Sequence, residues 1–293
     1  MPAIKEKFNL LKPSILISAA LIIFLSVAFY KNRLSEKTQI PPEIGLRELN
    51  RLSLKIEKNQ NDIKSLFERG RLKYDMGVSY WADAAADLET AREKGYLEKN
   101  IFLYLGNIYS HLGFYDYAVG EFEKYLNNNP SDKKTYLILG KTYYLKQNYA
   151  KALEIFENLK NEGMRDPVLL ENIALTKWKL NRDYSETIFE MKKMSKESSC
   201  RADYIDGYIK NFQKLWRESE VSLQNAFSSE CVFDLPDKAE ALRILYEDYV
   251  NLKDDISALN ALKESDSLGL LDEEGKKNLV RLEKKISSSF KKK

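Results

Sequence analysis

The sequence predicts an all-α fold, a solenoid of helical hairpins, preceded by a single transmembrane helix. Two consecutive stretches carry the same residue types at positions 34 residues apart, which indicates a repeated pair of helices. Only 12 glycines and 7 prolines occur among 293 residues, as expected for helices joined by short turns. An uncharged apolar run near the amino terminus predicts the membrane segment.

Six residue types define the repeated hairpin. In chain order, the two sets are Phe102, Gly106, Tyr109, Tyr115, Ala118 and Phe122, then Tyr136, Gly140, Tyr143, Tyr149, Ala152 and Phe156. Small residues such as Gly106 and Ala118 are needed because the two antiparallel helices approach most closely there. Aromatic residues fill the space beside them, and Pro130 ends the second helix because proline cannot continue the hydrogen-bond ladder.

This order of residues, with a period of 34, resembles the tetratricopeptide repeat (TPR). The resemblance implies a right-handed superhelix, the TPR solenoid, over residues 44–290. Clear repeats are expected at 63–98, 99–132, 133–166 and 167–199, degenerate repeats at 200–233 and 239–267, and a capping helix at 272–290. A cap is expected because each repeat buries its apolar face only against its neighbours.

The amino-terminal segment 14–30 is predicted to be a transmembrane signal-anchor, between a tail at 1–13 and a linker at 31–43. The eighteen residues between Lys12 and Lys31 carry no charge. As a helix they span about 27 Å, close to the hydrocarbon thickness of a bilayer. A secretory signal cleaved after Ala28 is the alternative, but the apolar run continues past that residue, which favours an anchor.

The short tail is easily retained in the cytoplasm, while a long following domain translocates largely regardless of its charge. We therefore expect a single-pass membrane protein whose repeat domain is extracytoplasmic, or periplasmic in a bacterium. Cys200 and Cys231 bracket one predicted repeat and could form a disulfide in an oxidising compartment. Two separate thiols are the alternative.

In the TPR family, residues of the first helix of each repeat line a concave groove. Transferred to this sequence, that set is Arg71, Tyr74, Asn107, His111, Lys141, Tyr144, Leu145, Trp178, Lys179, Tyr204, Tyr208 and Phe212. Aromatic and cationic side chains dominate it, which suits a peptide that carries acidic and apolar groups. Phe67 and Leu103 stand where chaperone-binding members have the clamp lysine, so the resemblance does not extend to recognition of chaperone tails.

Two function classes follow. The first is a membrane-anchored scaffold for protein–protein interaction in the assembly of an envelope complex, with Tyr144, Trp178 and Tyr208 as the main anchors. The second is a non-catalytic envelope protein that binds a glycan or other polymer by stacking. Peptide binding should depend on Arg71, Lys141 and Lys179 and weaken with salt, whereas stacking on sugars should not.

The sequence shows no arrangement of residues that indicates catalysis. His111 is the only histidine, and the two cysteines do not have metal-ligand spacing with it. We therefore expect neither an enzyme nor a cofactor or metal. A net charge of +3 gives no indication of nucleic acid as a partner.

Overall fold

The computed structural model describes residues 42–98, 100–228, 231 and 235–290. Within these ranges the chain forms fourteen α-helices and no strand, which confirms the predicted all-α helical-hairpin fold. The helices are α1 (Pro42–Lys58), α2 (Ile63–Asp75), α3 (Trp81–Glu93), α4 (Asn100–His111), α5 (Tyr115–Asn128), α6 (Lys133–Leu145), α7 (Tyr149–Asn161), α8 (Pro167–Lys179), α9 (Ser185–Met194), α10 (Lys196–Phe212), α11 (Trp216–Ser228), α12 (Leu235–Asn251), α13 (Asp255–Ser267) and α14 (Glu273–Phe290).

The predicted transmembrane helix at 14–30 lies outside the described residues, as does the tail at 1–13. None of the helices that the structure describes combines the length and apolar character needed to cross a bilayer. The first described helix, α1, begins at Pro42, inside the predicted linker.

The chain divides into two compact units, the first ending at Ile155 and the second beginning at Phe156, so that the boundary falls within α7. In the first unit, α2 packs against α3 and α4 packs against α5 as antiparallel hairpins. A short 3-10 helix, Val78–Tyr80, connects α2 to α3. The core of these hairpins consists of buried apolar residues, among them Leu66, Trp81, Ala84, Leu88, Ala91, Ile101, Leu105 and Ile108.

Glycine is required where the two helices of a hairpin meet. A Cβ atom added to Gly106 of α4 would lie 2.7 Å from two ring carbons of Phe122 in α5. Gly207 in α10 has the same relationship to α11, because its Cβ would lie 2.6 Å from Cγ of Leu223. Carbon atoms do not approach this closely, so a larger residue would force the helices apart. The close approach that the repeat pattern predicts at Gly106 is therefore present.

In the second unit, α8 to α14 form successive packed helices. Three of these helices begin after a residue whose side chain accepts a backbone hydrogen bond: Asp166 caps α8, Ser195 caps α10 and Asp254 caps α13. The last described helix, α14, packs on α13, and its Leu282 is buried. A salt bridge of 2.7 Å between Lys285 and Asp255 also joins these two helices.

Candidate protein-binding surfaces

In the first unit, three predicted groove residues gather around Trp81. The ring of Tyr74 stacks on the Trp81 indole with centroids 5.2 Å apart, and the His111 ring meets that indole edge-on at 4.9 Å. Asn107 donates a hydrogen bond from Nδ2 to the hydroxyl oxygen of Tyr74 at 2.9 Å. Trp81 Nε1 donates to the carbonyl oxygen of Tyr74 at 3.0 Å, which holds the indole in place.

Burial raises the pKa of the Tyr74 hydroxyl, because the phenolate would lose its hydration among these rings. Its ring also contacts that of Tyr104, at 4.9 Å. Tyr74 therefore belongs to a packed aromatic cluster inside the first unit, and little of its hydroxyl is open to a ligand.

The remaining predicted groove residues of the first unit lie at its surface. Arg71 is exposed on α2. On α6, Lys141, Tyr144 and Leu145 are half-buried, and the ring of Tyr144 contacts the ring of Tyr149 at 5.2 Å.

In the second unit, three aromatic residues form a second cluster. The ring centroid of Trp178 at the end of α8 lies 5.4 Å from that of Phe212 and 6.1 Å from that of Tyr208. The rings of Tyr208 and Phe212, both on α10, lie 5.0 Å apart. Such tilted and edge-to-face arrangements are the favoured geometries of aromatic pairs.

Lys179 completes this arrangement, which we call the aromatic–lysine cluster: Trp178, Lys179, Tyr208 and Phe212. The ammonium nitrogen of Lys179 lies 4.0 Å from the Trp178 centroid and 5.8 Å from the Phe212 centroid, within the range of cation–π attraction. Burial lowers the pKa of Lys179, since water is partly excluded from its charge. Phe212 remains 37% exposed, so the cluster reaches the surface.

Three residues that were expected to line the groove are buried instead, so the expected lining is corrected at these positions. Asn107 is buried because Tyr74 from the preceding hairpin covers it and takes its hydrogen bond. Tyr208 is 4% exposed because Trp178 and Phe212 pack on it. Tyr204 is 2% exposed, with its ring 5.0 Å from the guanidinium carbon of Arg201. Tyr208 therefore supports Trp178 and Phe212 instead of serving as an anchor itself.

The structure also contains a charged cluster that the sequence pattern does not predict. Arg201 of α10 donates two hydrogen bonds to the carboxylate of Glu171 in α8, at 2.9 and 3.0 Å, and pairs with Asp237 of α12. Beside it, Cys200 and Cys231 are joined as a disulfide with their Cα atoms 6.0 Å apart. Nothing in the local sequence around Arg201 identifies its acidic partners, which lie 30 and 36 positions away.

Among the described residues, no group of three or more His, Cys, Asp and Glu side chains is placed to hold a metal ion. The exposed parts of the two aromatic clusters are among the surfaces that are open to a ligand. These exposed parts can contact a ligand by apolar packing, by hydrogen bonding and by attraction between a cation and a carboxylate.

No protein-family model and no curated protein sequence matches the chain. Solved structures do match. A TPR protein from Parabacteroides merdae superposes with a TM-score of 0.62 at 15% identity, covering 90% of this chain and 98% of that one. The C-terminal part of a TPR repeat-containing protein from Cytophaga hutchinsonii gives a TM-score of 0.54 at 14% identity, with 87% and 98% covered.

The pilF protein of Pseudomonas aeruginosa gives a TM-score of 0.52 at 11% identity, with 76% of this chain and 97% of that chain covered. At such low identities, likeness of structure is evidence for the fold and not for a shared ligand. The chain has the helical-hairpin fold of TPR proteins.

Proposed function

We propose that this protein is a non-catalytic, membrane-anchored scaffold that binds a protein or peptide partner through the aromatic–lysine cluster of its second unit. The observation that carries the proposal is the partly exposed ring of Phe212, which packs against the rings of Tyr208 and Trp178. Rigid aromatic groups that are backed by packed neighbours bury much area at little entropic cost, which is the character of interface hot spots.

A peptide suits this cluster better than a glycan. Sugar stacking needs an open aromatic face, but the ammonium of Lys179 lies 4.0 Å from the Trp178 centroid and occupies one face of the indole. The ring left partly open is Phe212, which has an apolar surface and no hydrogen-bonding group. An apolar side chain of a partner fits that surface.

The anchor is the second part of the proposal. The uncharged run at 14–30 is long and apolar enough to insert into a bilayer, and it precedes α1 by a short linker. We place the repeat domain on the extracytoplasmic side, at the envelope. The Cys200–Cys231 disulfide supports this side because such bonds persist in oxidising compartments. In this arrangement the scaffold would hold its partner close to the membrane during assembly of an envelope complex.

Site-specific photocrosslinking in intact membranes tests the binding surface. A photoreactive phenylalanine analogue is placed at position 212, or at position 189 as a matched control, since Phe189 is 57% exposed in the same unit. We expect a protein adduct from position 212 and none from position 189. Adduct formation at both positions alike, or at neither, would contradict the assignment of the surface.

Fractionation tests the anchor. The full chain should remain with membranes in alkaline carbonate and dissolve only in detergent, since an inserted helix is held by the hydrophobic effect and not by surface charge. Recovery of the full chain in the carbonate supernatant would remove the anchor from the proposal and leave the binding surface untouched.

A further inference from the structure

We infer that Lys179 receives a carboxylate from the bound segment, so that the aromatic–lysine cluster selects a peptide in which an acidic group adjoins an apolar side chain. This inference rests on the proposed function, because it assigns the chemistry of the segment that the same cluster binds.

The first argument is the contrast between Lys179 and the other half-buried cations of the second unit. Each of the others pairs with a carboxylate: Lys160 with Glu190, Lys177 with Glu157, Arg201 with Glu171, Lys210 with Asp206 and Lys238 with Glu264. Lys179 differs, since no acidic side chain in the described part of the chain lies within salt-bridge distance of it.

The second argument is the environment of this charge. The ammonium lies over Trp178 and near Phe212, where burial lowers the pKa of Lys179. Attraction to the ring faces offsets only part of the lost hydration. A partner carboxylate would supply the missing opposite charge, and an ion pair in this sheltered position is stronger than one on an open surface.

The third argument is the number of cations at the cluster. Arg243 is close enough to Tyr208 for its charge to influence the pKa of that hydroxyl, but it already forms a 2.8 Å salt bridge with Glu240. Lys179 is therefore the cation of the cluster that a ligand can neutralise. A single ammonium matches one carboxylate, whereas phosphate groups are bound by several donors or by arginine forks.

The arrangement also explains why an apolar group should accompany the acid. The Lys179 nitrogen lies 5.8 Å from the Phe212 centroid, and Phe212 is exposed beside it. A carboxylate that reaches Lys179 therefore brings its neighbouring side chain onto the Phe212 ring. The selected chemistry is Asp, Glu or a terminal carboxylate next to a Leu, Ile, Met or aromatic side chain.

Selection from a display library of random peptides, with the full chain in detergent as the target, tests the inference. We expect enriched peptides that contain Asp or Glu beside an apolar residue. In fluorescence anisotropy, changing that Asp or Glu to Asn or Gln should weaken binding to the wild type about tenfold, as for loss of one charged hydrogen bond. The Lys179→Met variant should bind the acidic peptide and its amide form with equal affinity. The Lys179→Arg variant should keep most of the preference for the acidic peptide.

Methionine at position 179 keeps an apolar stem against Trp178 and removes only the charge. The matched control is Lys193→Met, since the Lys193 ammonium lies 3.9 Å from the centroid of the exposed Phe189 ring in the same unit. The Lys193→Met control should bind the acidic and the amide peptides with the same affinities as the wild type.

Two results overturn the inference while the proposed function stands. One is selection of apolar peptides without acidic residues, and the other is an equal effect of the acid-to-amide change in the wild type and in Lys179→Met. A third result is that Phe212→Ala binds the selected peptides as tightly as the wild type. In that case the cluster is not the binding surface, and the proposed function and the inference both fail.

Discussion

Asn211 donates a hydrogen bond from Nδ2 to Oδ1 of Asp248 at 2.9 Å, and both side chains are buried where α10 faces α12. No Lys or Arg side chain among the described residues forms a salt bridge with Asp248. Burial raises the pKa of Asp248 to about 6, and the hydrogen bond from Asn211 opposes this shift only in part. The carboxylate form of this group therefore destabilises the second unit.

The first prediction concerns the pH dependence of stability. Because the pKa of Asp248 is higher in the folded chain than in the unfolded chain, the folded state binds the proton more strongly. The contribution of Asp248 to the free energy of unfolding is then largest below about pH 4, and it falls by about 3 kcal/mol in total as the pH rises through about 4 to above 6. Urea unfolding at several pH values measures this fall.

The control for this prediction is Asp248→Asn, which keeps an oxygen to accept the hydrogen bond from Asn211 and cannot ionise. The difference in unfolding free energy between variant and wild type should grow in favour of the variant between about pH 4 and pH 7. A difference that stays constant over this range would show that Asp248 has an ordinary pKa.

The second prediction concerns the close approach of α4 and α5. Gly106→Ala places a Cβ atom 2.7 Å from the ring of Phe122, and we expect the free energy of unfolding to fall by about 1–3 kcal/mol. Gly120 of α5 is the matched control, because a Cβ atom there meets nothing within 4 Å. Gly120→Ala should raise stability by up to about 1 kcal/mol, since alanine favours the helix.

Urea unfolding of the two glycine variants measures both effects. Equal stabilisation by Gly106→Ala and Gly120→Ala would mean that Phe122 moves aside freely. The explanation of the repeat pattern by close helix approach would then be wrong.

These residues show why the fold was predictable from the sequence. The repeated positions are the ones at which the two helices of a hairpin pack. A Cβ atom added at Gly70, Gly106 or Gly207 would lie less than 3.0 Å from a side chain of the next helix. Packing within a hairpin involves residues close in the chain, and a fixed spacing therefore identifies it.

The surface was less predictable, because its exposure depends on the neighbouring hairpin. A helical position shows which side of α10 carries Tyr208, but it does not show that Trp178 from α8 covers that side. The partners of Arg201 are likewise Glu171 and Asp237, which lie 30 and 36 positions away. In the sequence these acids look like any other solvated charge.

The third prediction concerns the disulfide. Alkylation of thiols at lysis, followed by denaturation without reductant, should find Cys200 and Cys231 unmodified, and reduction should release both thiols. Reduction should also lower the free energy of unfolding by roughly 3–4 kcal/mol, the value for closing a loop of this length. Alkylation of both cysteines at lysis would contradict the bond and weaken the argument for an extracytoplasmic domain.

The fourth prediction concerns the buried ion cluster. Burial opposes the charge of Arg201, but the carboxylates of Glu171 and Asp237 outweigh this effect and raise its pKa. Arg201→Met removes the cation and leaves two acids without it in the interior of the second unit. We expect the free energy of unfolding to fall by about 3–5 kcal/mol at neutral pH.

The Arg201 variant should regain stability at low pH, relative to the wild type, because protonation neutralises the acids that the arginine no longer balances. Adding Glu171→Gln and Asp237→Asn should restore part of the loss for the same reason. Urea unfolding at neutral and acidic pH separates this explanation from simple loss of packing. A cavity left by the shorter side chain would lower the free energy of unfolding by the same amount at both pH values. Neutralising the two acids would not restore that loss.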